Sequence, residues 1–265
     1  MAAEIHMIGI GLRGPGLSNW PTAKEILIHG GLDPLMTTPS GRAALLPPTE
    51  RRRATEVTRL ALDVAEEAVG CHDPSDIPAL FTSSGGEVNI VHEIFLTLVG
   101  PDRRLSPTQF HNSVHNAAAG YWSIASGSRM PTDSLCAYDD SLGSGLLEGL
   151  LRLQEQHQRI LVVAYDLPAP YPISLYRSIP SAFAVGFLLS SDPKDTPMAS
   201  LNWSYEAEPP AVSPLNDPGL ETLRTSNPAA RALPLLVAIA RKEAQTLRLG
   251  VGMQGALCLK IQPCY

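Results

Sequence analysis

Ser134-Leu-Cys136-Ala-Tyr138-Asp139-Asp140-Ser141-Leu-Gly143-Ser-Gly145-Leu-Leu-Glu-Gly-Leu-Leu151 reads as a short strand that turns sharply into a helix. Residues 134–138 are short, apolar and end in charge. Asp139, Asp140 and Ser141 carry side-chain oxygens that can accept the free amides of a first helical turn. Gly143 and Gly145 let that turn come close to another backbone. Leu146, Leu147, Leu150, Leu151 and Leu153 then form an apolar helical face. A turn of this kind holds one residue above a sheet edge, beside helix-start amides that favour negative charge. Enzymes place nucleophiles there.

Bulk properties set the outer bounds. The 265 residues could form one large domain or two small ones, and at 44% hydrophobic and 17% charged they hold enough apolar material for a sizeable core. A net charge of −6 offers no basic surface for nucleic acid or an anionic membrane. No apolar run reaches the length of a membrane span, and residues 1–11 lack a basic-then-apolar signal pattern. Cytoplasm is the expected compartment. Cys71, Cys136, Cys258 and Cys264 form no CxxC pair and read as reduced thiols.

Outward from the turn, the chain alternates strand and helix. Residues 4–10, 77–83, 159–165, 181–190, 199–207 and 255–262 read as strands, and the continuous apolar run 159–165 is of the buried parallel kind. Helices are expected at 21–30, 49–69, 88–99, 113–125, from the turn to about His157, and at 228–249. Residues 32–48, 166–180 and 208–227 read as loops. This order implies an α/β fold layered α-β-α.

Several motifs fall short of a chemistry. The glycines after the first strand do not match the dinucleotide spacing, and no acidic residue closes a second strand. Neither 83–86 nor 142–146 is a G-x-S-x-G elbow. His111 and His115 are four apart, which would put them on one helical face. They lack the glutamate of the HExxH motif and a third ligand, so no metal site and no cofactor is expected. Arg51, Arg52 and Arg53 read as a solvated helix face, the minority reading being a dock for an acidic carrier protein.

The turn resembles the nucleophile elbow of the β-ketoacyl synthases, in the thiolase-like superfamily. Their motif, Thr-Ala-Cys-Ser-Ser-Ser-Leu, lies on Cys136-Ala-Tyr138-Asp139-Asp140-Ser141-Leu142, so the nucleophilic cysteine falls on Tyr138 and Cys136 stands two residues earlier. Residues 7–16 are similar to the family's glycine-rich opening. Asn116, Ala117, Ala118, Ala119, Gly120, Ser123 and Ile124 carry its Asn-x-Ala-Ala-Gly-x-x-Ser-Ile segment. The resemblance is strongest over residues 4–191 and implies a thiolase-like fold, the N-terminal half of a ketosynthase, with residues 1–265 as a single domain. The catalytic histidines of the family belong to the other half, so no catalytic set is expected here.

Ser113-Val-His115-Asn116-Ala-Ala118-Ala-Gly120-Tyr121-Trp122-Ser-Ile, together with the Ala-Tyr138-Asp139-Asp140-Ser141 elbow, is similar to short ketosynthase-like proteins that keep only the N-terminal domain. These include chain-length-factor-like partners in bacterial aryl polyene, type II polyketide and fatty-acid-like biosynthesis. What the resemblance implies is a pseudo-enzyme subunit. It would form a heterodimer with a full-length β-ketoacyl synthase, meet acyl carrier protein indirectly, and shape the acyl tunnel with Phe110, Ser113, His115, Asn116, Ala118, Gly120, Tyr121 and Trp122. Two other readings stay open: a thiol-dependent acyltransferase using Cys136, and a free-standing interaction module. Cys136, read as lying inside the strand, is expected to be buried and therefore quiet.

Overall fold

The computed structural model describes residues 5–33, 35–155, 158–207, 212–252 and 255–264. Glu4, His157 and Glu208, expected as limits of a strand, a helix and a loop, lie outside them. The chain runs β1 (Ile5–Arg13), α1 (Trp20–His29), α2 (Pro48–Arg53), α3 (Glu56–Val69), β2 (Ala79–Thr82), α4 (Val88–Val99), α5 (Pro107–Asn112), α6 (Ala117–Ser126) and β3 (Thr132–Leu135). It continues through α7 (Ser141–Glu155), β4 (Arg159–Asp166), β5 (Phe183–Ser190), β6 (Ala199–Glu206), α8 (Pro218–Ser226), α9 (Leu233–Arg241), β7 (Gln245–Val251) and β8 (Gly255–Pro263).

Among the described residues, eight strands join one mixed sheet in the order β3-β2-β4-β5-β1-β6-β8-β7. β2 is parallel to both β3 and β4, with Phe81 opposite Ser134 on one side and Val163 on the other. The remaining neighbours are antiparallel. Side chains of a strand alternate between faces, and β4 shows what that means here. Ile160, Val162 and Ala164 enter a core with Leu27, Leu146, Leu150, Leu235 and Ile239. Leu161, Val163 and Tyr165 enter a second core with Val57, Leu60, Val64, Ala118 and Trp122. The sheet is therefore covered on both faces, as the α-β-α reading requires.

Glycines decide how closely the layers meet. A Cβ on Gly9, Gly11 or Gly186 would run into the carbonyl oxygens of Ala68 or Val64, so α3 rests directly on β1 and β5. The glycine-rich first strand thus serves packing. On the other face, Gly143 gives room to the Gly250 carbonyl, and Gly145 and Gly149 to the side chains of Thr82 and Val162. Leu146 and Leu150 are each about 1% exposed; burial of that completeness stabilises by roughly 1.5–3 kcal/mol per leucine.

Four expectations need correction. The helix over 49–69 is two helices: Ala54 is extended, and Thr55 restarts the chain as N-cap of α3, accepting from the Thr58 amide at 3.0 Å. A single helix over 113–125 does not form; α5 ends at Asn112 and α6 begins at Ala117. The 208–227 loop contains α8, capped by Asp217, whose Oδ1 accepts from the Leu220 amide at 2.9 Å. The helix over 228–249 stops at Arg241, where Lys242 turns left-handed (φ 56°), and β7 follows.

Candidate functional site

β2, β3 and β4 run parallel and end together, and the elbow lies at that end. β3 stops at Leu135, just before Cys136, so the thiol is exposed, and its Sγ meets the Ser84 carbonyl at 3.6 Å. This corrects the expectation of a buried, in-strand cysteine. Tyr138 adopts φ 54°, a conformation rare for residues other than glycine, and its side chain is 60% exposed. The tight turn Tyr138–Asp140 that follows is clamped by Ser141, whose hydroxyl donates to the Tyr138 carbonyl (2.7 Å) and accepts from the Ala137 amide (3.0 Å).

Asp139 and Asp140 do not cap the helix. Asp139 pairs with Arg177 at 2.5 Å and with Arg231 at 3.2 Å, and Asp140 pairs with Arg231 at 2.7 Å. Burial pushes the Asp140 carboxyl up, against the pull of the Arg231 charge. The Arg177 guanidinium lies 4.0 Å from the centre of the Tyr138 ring, a cation–π stack. Neither arginine was expected at the elbow from the sequence, because each reaches it from a distant segment. Among the described residues no histidine side chain hydrogen-bonds Tyr138 or Cys136; His115 instead meets the Ser83 carbonyl through Nε2 at 3.2 Å. His111, on α5, packs edge-on against Tyr121. The expected single-face histidine pair is therefore split between α5 and the turn before α6. Among the described residues no group of three or more His, Cys, Asp or Glu is placed to hold a metal ion.

The small-residue segment divides in two. Ala118, Tyr121 and Trp122 face inward at 2% exposure or less, which removes Ala118 and Trp122 from any contact surface and leaves Tyr121 in the lining of a groove. Phe110, Asn116 and Gly120 face outward, and Ser113 and His115 are half-buried. Between α5 and α6 runs an open groove of about 480 Å³, lined by Pro107, Phe110, Val114, Gly120, Tyr121 and Ile124. Beside it, α4 has a largely apolar sequence and buries none of its residues; Phe95, Leu96, Leu98 and Val99 are all exposed. Among the described residues β3 is an edge strand paired to β2 alone. Asn112 donates to the Arg53 carbonyl at 2.7 Å, so α2 with Arg51, Arg52 and Arg53 stands next to α5.

Two buried carboxyls behind the elbow were not singled out from the sequence. Asp166, at the end of β4, is 3% exposed, and burial pushes it up to about 6 against the hydrogen bonds of Ser84 and Ser83. Glu87 is 4% exposed and likewise pushed up by burial; its Oε1 accepts from Thr55 (2.6 Å) and Thr58 (3.0 Å). The sequence signal for Asp166 is an acid directly abutting a continuous apolar strand.

A family model described as β-ketoacyl synthase, N-terminal domain, matches residues 20–248. A comparison with curated proteins gives no match. Among solved structures, the chain is similar to the ketosynthase ApeO in complex with its chain length factor ApeC from Xenorhabdus doucetiae, with a TM-score of 0.72 and 22% identity over 97% of this chain and 99% of that one. It is similar to the ishigamide ketosynthase/chain length factor, with a TM-score of 0.74 and 11% identity over 99% and 100% of the two chains. A third similar structure is AntDE:AntF, a type II acyl-carrier protein in complex with its ketosynthase bound to the hexaketide (TM-score 0.75, 10% identity, 100% of both chains).

Proposed function

The chain belongs to the β-ketoacyl synthase N-terminal domain family, and on that footing we propose that it is a non-catalytic, chain-length-factor-like subunit. It pairs with a full-length β-ketoacyl synthase and shapes the tunnel that receives the growing acyl chain. One observation carries this reading. An apolar helix with no fully buried residue, α4, packs beside α5 and its groove, and β3 stands at the edge of the sheet. Soluble monomers seldom leave such a face bare, and an open strand edge invites another strand. The tunnel and interface roles are proposed for Phe110, Asn116 and Gly120 on the surface, with Ser113 and His115 at its margin. Ala118, Tyr121 and Trp122 support the groove from behind.

Claisen condensation needs a thiolate to hold the acyl group and a polar hole for the developing negative charge. Tyr138 supplies no thiolate, and its ring is engaged by Arg177. The exposure of Cys136 favours one competing reading, acyl transfer through that thiol. Co-expression with a full-length ketosynthase and its carrier protein tests both. The expected result is a one-to-one heterodimer whose condensing activity needs the partner, with no acyl adduct on this chain by mass spectrometry. An adduct on Cys136 that turns over replaces the proposal with the transferase; a soluble monomer that binds no ketosynthase replaces it with the free-standing module.

A further inference from the structure

We propose that residues 83–87 form a pH-dependent hinge for α4, which shuts over the buried carboxyl of Asp166 and opens when that carboxyl carries its charge. The hinge is tied to one oxygen. Asp166 Oδ1 accepts from the Ser84 hydroxyl (2.6 Å), the Ser84 amide (2.9 Å) and the Ser83 hydroxyl (3.2 Å). The Ser83 hydroxyl oxygen in turn accepts from the Gly86 and Gly85 amides at 2.8 and 3.3 Å. Gly86 sits at φ 54°, where glycine bends at little cost. Beyond it, no residue of α4 is fully buried, and Asn89 adds only a long bond to the Pro168 carbonyl, at 3.4 Å. Segments with few buried apolar contacts are the ones that open locally.

No ion pair neutralises Asp166 among the described residues. Arg177, from the 167–180 loop, pulls on it only from a distance and is paired with Asp139. On β4, burial pushes the neighbouring Tyr165 phenol well above its ordinary range, so it stays neutral. Glu87, within the hinge, is pushed up by burial and faces only the hydroxyls of Thr55 and Thr58. From the turn after β3 and the α5–α6 turn, Cys136 and His115 meet the carbonyls of Ser84 and Ser83. Asn227 holds the Asp166 carbonyl at 3.1 Å.

Shut, the hinge keeps the carboxyl at about 6; open, it returns the group to water, where aspartate titrates near ~3.9. The closed state therefore holds the proton more tightly. By linkage, acid favours the closed hinge and rising pH the open one. Between pH 5 and 7.5 these two values raise the opening equilibrium about tenfold.

Hydrogen exchange of the whole chain tests this without any partner, so the outcome is independent of the ketosynthase reading. Rates for amides 83–99 are divided by the intrinsic rate at each pH. The expected result is a loss of protection of about tenfold from pH 5 to 7.5 in the wild type, no such slope in Asp166→Asn, and an unchanged slope in His115→Gln. A flat wild type, a slope retained in Asp166→Asn, or a slope lost in His115→Gln overturns the proposal. Should Asp166→Asn fail to fold by circular dichroism, Ser84→Ala serves instead. Loss of that donor pushes the carboxyl higher and must move the wild-type midpoint upward; an unmoved midpoint overturns the proposal as well.

Discussion

Two arginine substitutions two residues apart, on opposite sides of the helix, separate the core of α6 from its outer face. Ala118 is 1% exposed and packs in the core that holds Phe81 and Trp122. Arginine there strands a charge without a partner, at a cost of about 3–5 kcal/mol. Against a total stability of about 5–15 kcal/mol, and at about 2–4 °C per kcal/mol for a chain of this size, Ala118→Arg should lower the melting temperature by about 10 °C. Gly120 is exposed, and a Cβ added there meets nothing within 4 Å. Gly120→Arg gains about 0.5–1 kcal/mol of helix propensity, so its melting temperature should hold or rise slightly. Its side chain nevertheless enters the groove beside Phe110 and Ile124, where loss of a central contact weakens an interface by about 2 kcal/mol or more, roughly thirtyfold. Scanning calorimetry and a titration against the ketosynthase read the two effects separately. Wild-type affinity in Gly120→Arg, or a wild-type melting temperature in Ala118→Arg, would refute this division of the helix.

Tyr138→Cys should give no condensing activity without a partner, because the new thiolate finds no histidine hydrogen-bonded at the elbow; carrier-bound malonyl assays with product detection check this. Ser141→Ala removes one acceptor and one donor from the elbow clamp and should destabilise by about 1–3 kcal/mol in urea unfolding, with an effect below ~0.3 kcal/mol counting against the clamp. Asp166 gives a pH signature of folding stability. Its folded value, about 6, is raised from the ordinary 3.8, so its contribution is complete below about pH 4 and is lost as pH rises through 6. At about 1.4 kcal/mol per pH unit that loss is about 3 kcal/mol relative to Asp166→Asn; urea unfolding of both proteins between pH 4 and 7 reads it, and a rise with pH would contradict the assignment.

The parts of the fold legible in the sequence were those fixed by local pattern. Residues 160–165 are apolar throughout because β4 is buried on both faces. The glycines of α7 mark a helix pressed onto strands. What escaped depended on contacts across the chain or on chemistry with two local uses. Thr55 suits a helix interior or an N-cap, and only the turn of Ala54 decides between them. Lys242 ends α9 in a left-handed conformation without glycine to announce it. In β7, Thr246-Leu247-Arg248-Leu249 alternates outward and inward, a period-two signal that followed a strong helical run and was absorbed into it. Asp139 and Asp140 have good cap chemistry, yet arginines 38 to 92 residues further along the chain, Arg177 and Arg231, claim them.

The elbow retains the geometry of a nucleophile turn without a nucleophile, and its surroundings give a physical reason for that. Holding Tyr138 at φ 54° costs on the order of 1–3 kcal/mol. The Ser141 clamp, the Arg177 stack and the carboxylate pairs of Arg177 and Arg231 all draw on that conformation. Through them the turn fastens the 167–180 loop and the segment before α9 to α7. Gly250 of β7 also fits closely against Asp140, since a Cβ there would strike its carboxylate. A relaxed turn would release all of these elements together. The turn thus has structural work to do whatever its chemistry: it ties the segment before α9 and β7 to α7, on the face of the sheet opposite α3 and α6.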